Sequence, residues 1–229
     1  PSFVTVEGGR LRKGKSAAKE VDDFPALPDP ALPVHASPYG ILVTGIGGTG
    51  VITIGQIIGV AAHLEGKGVS VLDMSGLAQK YGAVMSHVQV AARPEDTHAT
   101  RIDTGGASLV LGCDLVVSAS TESLARMSSA RTRAVVNASV TPTAEFVKNP
   151  NWQLPGTDLQ KDIGDSVQAA DFVEATQIAT GLMGDAIATN MFMLGYAYQK
   201  GWVPLAADSL ERAIELNGVV GDFNKKSFL

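Results

Sequence analysis

The sequence predicts an α/β fold: a mainly parallel sheet with helices on both faces, three layers in all, preceded by an extended N-terminal arm. Three observations carry this. Apolar, β-branched runs alternate with helix-periodic stretches along most of the chain. The first run, Ile41–Thr44, passes directly into four glycines within residues 45–50 and then into an apolar helical pattern. The 229 residues, 45% of them hydrophobic, are enough for one such domain and a tail.

Residues 1–38 read as the arm. Ser2–Gly9 alternates like a short strand, and Arg10, Arg12, Lys13, Lys15 and Lys19 make a basic, solvated tail. Residues 20–38 hold five of the eleven prolines, which fix φ and remove backbone donors, so this stretch is an extended connector. The globular domain spans residues 39–229. Ile41–Thr44 is its first strand. Val51–Glu65 is the first helix, with Val51, Ile54, Ile58 and Ala61 on one face and Gly66 and Gly68 at its stop. Val69–Asp73 and Val84–Ala92 are strands, joined by a glycine-punctuated loop over Ser75–Ala83. Ala107–Gly112 reads as a short helix or turn, Leu115–Ala119 as a buried strand, Glu122–Ser129 as a short helix and Ala134–Asn137 as a strand. Residues 141–168, rich in Pro, Asn and Asp, read as a long loop. Phe172–Ala175 is a strand; Ile178–Met183, Ile187–Gln199 and Ser209–Glu215 are helices.

Composition excludes several functions. A net charge of −5 and a pI near 5.3 argue against nucleic acid as a partner. The single cysteine, Cys113, allows neither an internal disulfide nor a cysteine-built metal site, and fits a reducing, cytoplasmic setting. No apolar run is long enough to cross a bilayer, and the start lacks a signal-peptide pattern. The chain begins at Pro1 and finishes on Ser227-Phe228-Leu229, which reads as a piece of a longer polypeptide. No His-x-x-x-His, paired carboxylates or Gly-x-Ser-x-Gly occur, and no Gly-Lys-Ser/Thr follows the glycine turn, so hydrolase and ATPase chemistry has no residues to act with.

The turn itself, Gly45-Ile-Gly47-Gly48-Thr49-Gly50, has the spacing of a dinucleotide fingerprint in a Rossmann-like fold. In that pattern the first glycine permits the turn, the second admits a pyrophosphate, and the third lets helix and strand pack closely. The helix N-terminus adds free N–H groups and about half a positive charge. Gly45, Gly47, Gly48, Thr49 and Gly50 are therefore the candidate cofactor-binding residues, with Asp73 placed to meet a ribose. The alternative is that any tight strand-to-helix turn favours glycine and that Asp73 only ends a strand. A self-contained NAD-binding dehydrogenase domain should follow its second strand with a crossover helix, not with a loop and a non-parallel strand. A third reading is an interaction module with an unused turn.

Gly45-Ile-Gly-Gly-Thr-Gly-Val-Ile-Thr53, then Gln79-Lys-Tyr-Gly-Ala-Val-Met-Ser-His-Val88, then Thr189-Asn-Met-Phe-Met-Leu-Gly195 and Ser209-Leu-Glu-Arg-Ala-Ile214 occur in this order. Together they resemble the gamma-type domain of the 2-oxoacid:ferredoxin oxidoreductases over roughly residues 40–218 of the chain. Within that family the chain is most similar to the long, fused indolepyruvate enzymes. There Pro1–Gly9 corresponds to the stretch just after the last cysteine of an iron–sulfur segment. The chain departs from many gamma domains where they carry Arg-Gly-Gly and it reads Met85-Ser86-His87. The resemblance implies an enzyme that oxidatively decarboxylates an arylpyruvate to an acyl-CoA and passes electrons to ferredoxin. It implies thiamine diphosphate and 4Fe-4S clusters on other domains or subunits, an oligomeric assembly, and a fragment inactive alone that completes the active-site wall.

No residue is assigned a catalytic or metal-binding role. Four residues are candidates for bordering a neighbouring active site. Lys80 and Tyr81 would meet a substrate carboxylate or a CoA phosphate, or belong to a loop docked on a partner. Ser86 and His87 would face a neighbouring domain, or His87 is a strand histidine bonded to the backbone. Cys113 has no base or cation nearby in sequence and reads as a small buried residue. Asn190, on a mostly apolar helix, must find hydrogen bonds and is placed to hold that helix against the Gly47–Thr49 turn.

Overall fold

The computed structural model describes residues 27–33, 38–76, 82–139, 155–219 and 221–229. Its six strands are β1 (Tyr39–Ile46), β2 (Gly68–Ser75), β3 (Ala83–Ala91), β4 (Ala107–Gly112), β5 (Arg133–Asn137) and β6 (Ala169–Val173). They form one sheet in the order β2-β3-β1-β4-β5-β6. The β1–β4, β4–β5 and β5–β6 pairs are parallel, and β3 runs antiparallel to both β1 and β2. The helices are α1 (Val51–Leu64), α2 (Leu115–Ser118), α3 (Thr121–Leu124), α4 (Gly156–Ser166), α5 (Ala175–Met183), α6 (Thr189–Gln199), α7 (Ala207–Asn217) and α8 (Gly221–Phe228).

Two apolar layers sandwich the sheet. Ile41 and Val43 of β1 join Ile54, Ile58, Leu194, Leu210 and Phe228 from α1, α6, α7 and α8 on one side. Leu42 joins Leu115, Val117 and Ile163 of α2 and α4 on the other. A strand covered on both faces must be apolar throughout, which is why β1 reads as a run and not as an alternation.

Three local assignments differ from the sequence reading. Ala107–Gly112, expected as a helix or turn, is the fully buried β4. Leu115–Ser118, expected as a strand, is α2: Asp114 Oδ1 accepts the Val117 N–H at 2.9 Å and caps a helix that the two valines disfavour on their own. The stretch 141–168 is not loop throughout, since α4 occupies Gly156–Ser166 and sinks Ile163 into the core. Its apolar pair Leu159 and Ile163 is too sparse to show a helical period. α8 has no counterpart in the sequence reading. The expected strand over Ser2–Gly9 lies outside the described residues.

The described part of the arm, residues 27–33, forms neither helix nor strand and docks on the end of α6. Tyr198 donates to Asp29 Oδ1 at 3.4 Å and Gln199 Nε2 to the Pro28 carbonyl at 3.0 Å. Among the described residues no helix is long and apolar enough to cross a membrane.

α8 seats on α6 because Gly195 has no side chain: a Cβ there would run into the Phe228 carbonyl. Gly195→Ala should therefore cost about 1–3 kcal/mol by overpacking, roughly 2–12 °C in Tm. A calorimetric scan with unchanged Tm would mean that residues 221–229 do not pack there.

Candidate functional site

β1 leads through α1 on one face of the sheet, and β4 leads through α2 and α3 on the other. Between their carboxyl ends the chain direction diverges, and open α/β sheets bind ligands in that crevice. Its described lining comes from the glycine turn after β1, Cys113 and Asp114 after β4, Asn137 at the end of β5, Glu174 after β6, and the start of α6.

The glycines divide their work differently from the fingerprint. At Gly45 a Cβ would stand 2.6 Å from a Val51 methyl and 3.2 Å from the Cys113 Cβ, so the first glycine serves close packing. Gly50 stands at φ 93° and makes the turn into α1. The Gly47 N–H is already committed, donating to the Gly82 carbonyl at 2.8 Å as β3 continues alongside. Thr49 N–H and Oγ1 both donate to the Ile46 carbonyl. The remaining anion cradle is the first turn of α1, where no side chain caps the helix and no acidic residue stands. Asn190 Nδ2 donates to the Thr49 carbonyl at 2.8 Å and ties α6 to this turn.

Around the cradle the polar groups hold one another. Asn137 Nδ2 donates to the Cys113 carbonyl and to Thr176 Oγ1, and Ser139 Oγ donates to Glu174 Oε2 at 3.1 Å. Burial raises the Asp114 carboxyl pKa above the usual range, against the pull of the Val117 and Val116 N–H groups. Burial, and then the Asp114 charge, push the Cys113 thiol up to about 12, so it is no nucleophile at neutral pH. Asp114, Asn137 and Glu174 went unremarked in the sequence. Asp114 alone had a readable pattern, an Asp directly before an apolar run.

Asp73 lies in β2, two residues before its end at Ser75, but β3 lies between β2 and β1. That puts the acid two strands away from the glycine turn, about 10 Å, where it cannot meet a ribose whose pyrophosphate sits at α1. The antiparallel β3, which begins only eight residues after β2 ends at Ser75, is what separates this fold from a dinucleotide domain.

Ser86 and His87 are both buried, on opposite faces of β3. Ser86 Oγ lies against Gly55 of α1. His87 Nδ1 accepts the Ile102 N–H at 3.3 Å, which leaves the proton on Nε2; among the described residues Nε2 has no partner. Neither side chain reaches the surface of this chain. Lys80 and Tyr81 lie outside the described residues. A groove of about 780 Å³ lies away from the strand ends, between Leu27 of the arm, Leu182, Phe192, Tyr196 and Phe228.

Residues 40–228 match the family described as pyruvate ferredoxin/flavodoxin oxidoreductase. The chain is 28% identical over 172 residues to the indolepyruvate oxidoreductase subunit IorB of Methanothermobacter thermautotrophicus, covering 75% of this chain and 84% of that one. Its fold is similar to that of the pyruvate oxidoreductase subunit PORC of Thermotoga maritima, with a TM-score of 0.58 and 19% identity, over 84% of this chain and 94% of that one. It is also similar to the 2-oxoglutarate:ferredoxin oxidoreductase of Magnetococcus marinus, with a TM-score of 0.61 and 17% identity, over 85% of this chain and 30% of the larger one. The chain belongs to the pyruvate ferredoxin/flavodoxin oxidoreductase family.

Two outcomes follow from the geometry. Asn190→Ala leaves the Thr49 carbonyl without its donor and should lower stability by about 1–2 kcal/mol, read as a lower urea midpoint. Burial, then Arg101 and Arg126, hold the His87 pKa down to about 4 from 6.5. The unfolded chain therefore takes up a proton at His87 that the folded chain refuses. Stability from this group falls as pH drops from about 6.5 to about 4 and is level below, by at most about 3 kcal/mol. Urea titrations at pH 7.5 and 4.5 should show His87→Leu losing that part of the pH dependence; an identical pH dependence in both proteins would refute it.

Proposed function

We propose that this chain is the gamma-type component of a 2-oxoacid:ferredoxin oxidoreductase that acts on arylpyruvates such as indolepyruvate. The observation that carries the reading is the match over residues 40–228, joined to relatives that are subunits of indolepyruvate oxidoreductases. The reaction is oxidative decarboxylation of the 2-oxoacid to an acyl-CoA, with ferredoxin as electron acceptor. The partners are the other domains or subunits that carry the chemistry, in an oligomeric, cytoplasmic assembly.

The residues of this chain do not fit an iron–sulfur cluster. Such clusters need several cysteine thiolates, and Cys113 is the one cysteine, its thiol pushed to about 12. The residues at the strand ends fit an anionic substrate better. The open first turn of α1 suits a phosphate of CoA, and the relative from Magnetococcus marinus was solved with coenzyme A and succinyl-CoA bound. In this role the chain binds and orients: the backbone N–H groups of Val51, Ile52 and Thr53 hold the phosphate, and Asn190 keeps their turn in place. Lys80 and Tyr81, which fall between β2 and β3 in the sequence, border the neighbouring catalytic subunit.

The test is the intact complex, with reduction of ferredoxin or a viologen dye followed after adding a 2-oxoacid and CoA. An arylpyruvate should exceed pyruvate and 2-oxoglutarate in kcat/KM by at least about tenfold, some 1.4 kcal/mol of discrimination. The chain alone should be inactive. No turnover with any 2-oxoacid would overturn the reading. Thr53→Glu puts an acid where a helix start tolerates it and should raise KM for CoA about tenfold with kcat little changed; an unaltered KM would remove the phosphate from α1.

A further inference from the structure

β2 is an open edge. Its inner side pairs with β3 in unbroken register from Gly68↔Ala91 to Ser75↔Val84, and its outer side meets no strand among the described residues. The Gly76 N–H donates to the Ala83 carbonyl at 3.2 Å, so the even-numbered residues bond inward. The N–H and C=O groups of Val69, Val71, Asp73 and Ser75 therefore point outward. Edge strands are normally protected by brevity, lysine, proline or a bulge. β6, at the other end of the sheet, has five residues and carries Asp171, held by Lys200 and Tyr196. β2 has eight residues with no lysine, proline or bulge, and a single charge, Asp73.

The helix beside this edge is apolar too. Gly55 and Gly59 let α1 settle over Val71: Cβ atoms there would stand 3.6 and 3.0 Å from its methyls. Val71 is still 36% exposed, and Ile52 and Val60 on the outer side of α1 are each 38% exposed. Bare backbone and exposed apolar side chains thus lie together on one side of the molecule.

We propose that this edge pairs with the same edge of a second copy of the chain, antiparallel, about a two-fold axis perpendicular to the sheet at Ser70. One continuous sheet then crosses both copies, and the two α1 helices lie side by side. Charge selects the register. With Ser70 on the axis, Val69 faces Val71 of the second copy and Asp73 faces its Lys67, whose ammonium is held by Glu65 at 2.7 Å and by the Pro204 carbonyl at 2.6 Å and keeps a third N–H to give. Shifting the register by two residues sets Asp73 against Val69 in one direction and against Glu65 in the other. The patch is also large enough. A strand of this length is about 26 Å long and α1 about 21 Å. A strip of that length and about 20 Å deep buries about 1,000 Å² over both copies, the lower limit for a specific interface. Such a contact is isologous and closes on itself.

Sedimentation of the intact chain at about 1–100 μM tests it. A dimer mass is expected. Ser70 would meet its own copy in a non-hydrogen-bonded pair, with Cα atoms about 4.5 Å apart, a distance a disulfide spans. Ser70→Cys should therefore give a covalent dimer on mild oxidation. The native chain should not, because its one cysteine, Cys113, follows β4, which is separated from β2 by β3 and β1. Asp73→Lys sets lysine against lysine and should raise the dimer dissociation constant at least about tenfold, with an unchanged far-UV spectrum as the control for folding. A monomer at every concentration, a dimer indifferent to Asp73→Lys, or no cross-link through Ser70→Cys would each overturn the proposal.

Discussion

The half of the sheet that carries the glycine turn depends on one pairing. β3 is bonded along its whole length to β1 on one side and β2 on the other, antiparallel to both. Because it is paired twice, its side chains are fixed in alternation: Val84, Ser86, Val88 and Val90 toward α1, Met85, His87 and Gln89 toward the other layer. The same strand extends past β1 far enough for the Gly82 carbonyl to take the Gly47 N–H. A glycine turn with dinucleotide spacing thereby loses one of the donors that spacing supplies. The architecture, more than the motif, decides what the turn can bind.

Much of this was legible in the residues. β1, α1, β2 and β3 fall within a few residues of where the apolar runs and glycine stops place them. The Asn190 bond to the turn follows from asking where a polar side chain on an apolar helix finds a partner. The errors cluster where tertiary contacts override local preference. Ala107–Gly112 has little β-branching but lies between two strands, and Leu115–Ser118 is rich in valine but starts on an Asp cap. The order of strands was beyond reach of periodicity, since nothing in Val84–Ala92 itself says that it inserts beside β1. The family resemblance supplied the function that the residues alone left open.

The crevice at the strand ends works by backbone and by small neutral groups. Its cysteine is held protonated, its aspartate is spent as a helix cap, and its asparagines brace loops. Such a surface can position a phosphate, and both of its described carboxylates are engaged, Asp114 by the start of α2 and Glu174 by Ser139. That division suits a component whose catalytic groups lie on a partner.

The twofold coverage of β1 also has a consequence during synthesis. β1 is apolar throughout, and it leaves the ribosome well before its parallel neighbour β4 exists. At about 5–20 residues per second, a naked strand of this kind would be exposed for seconds. β3, nearer in sequence and antiparallel, can close one edge of β1 early, with α1 already over one face. The inserted strand thus acts as a guard for the nascent chain, shortening the interval in which its stickiest segment is open to other molecules.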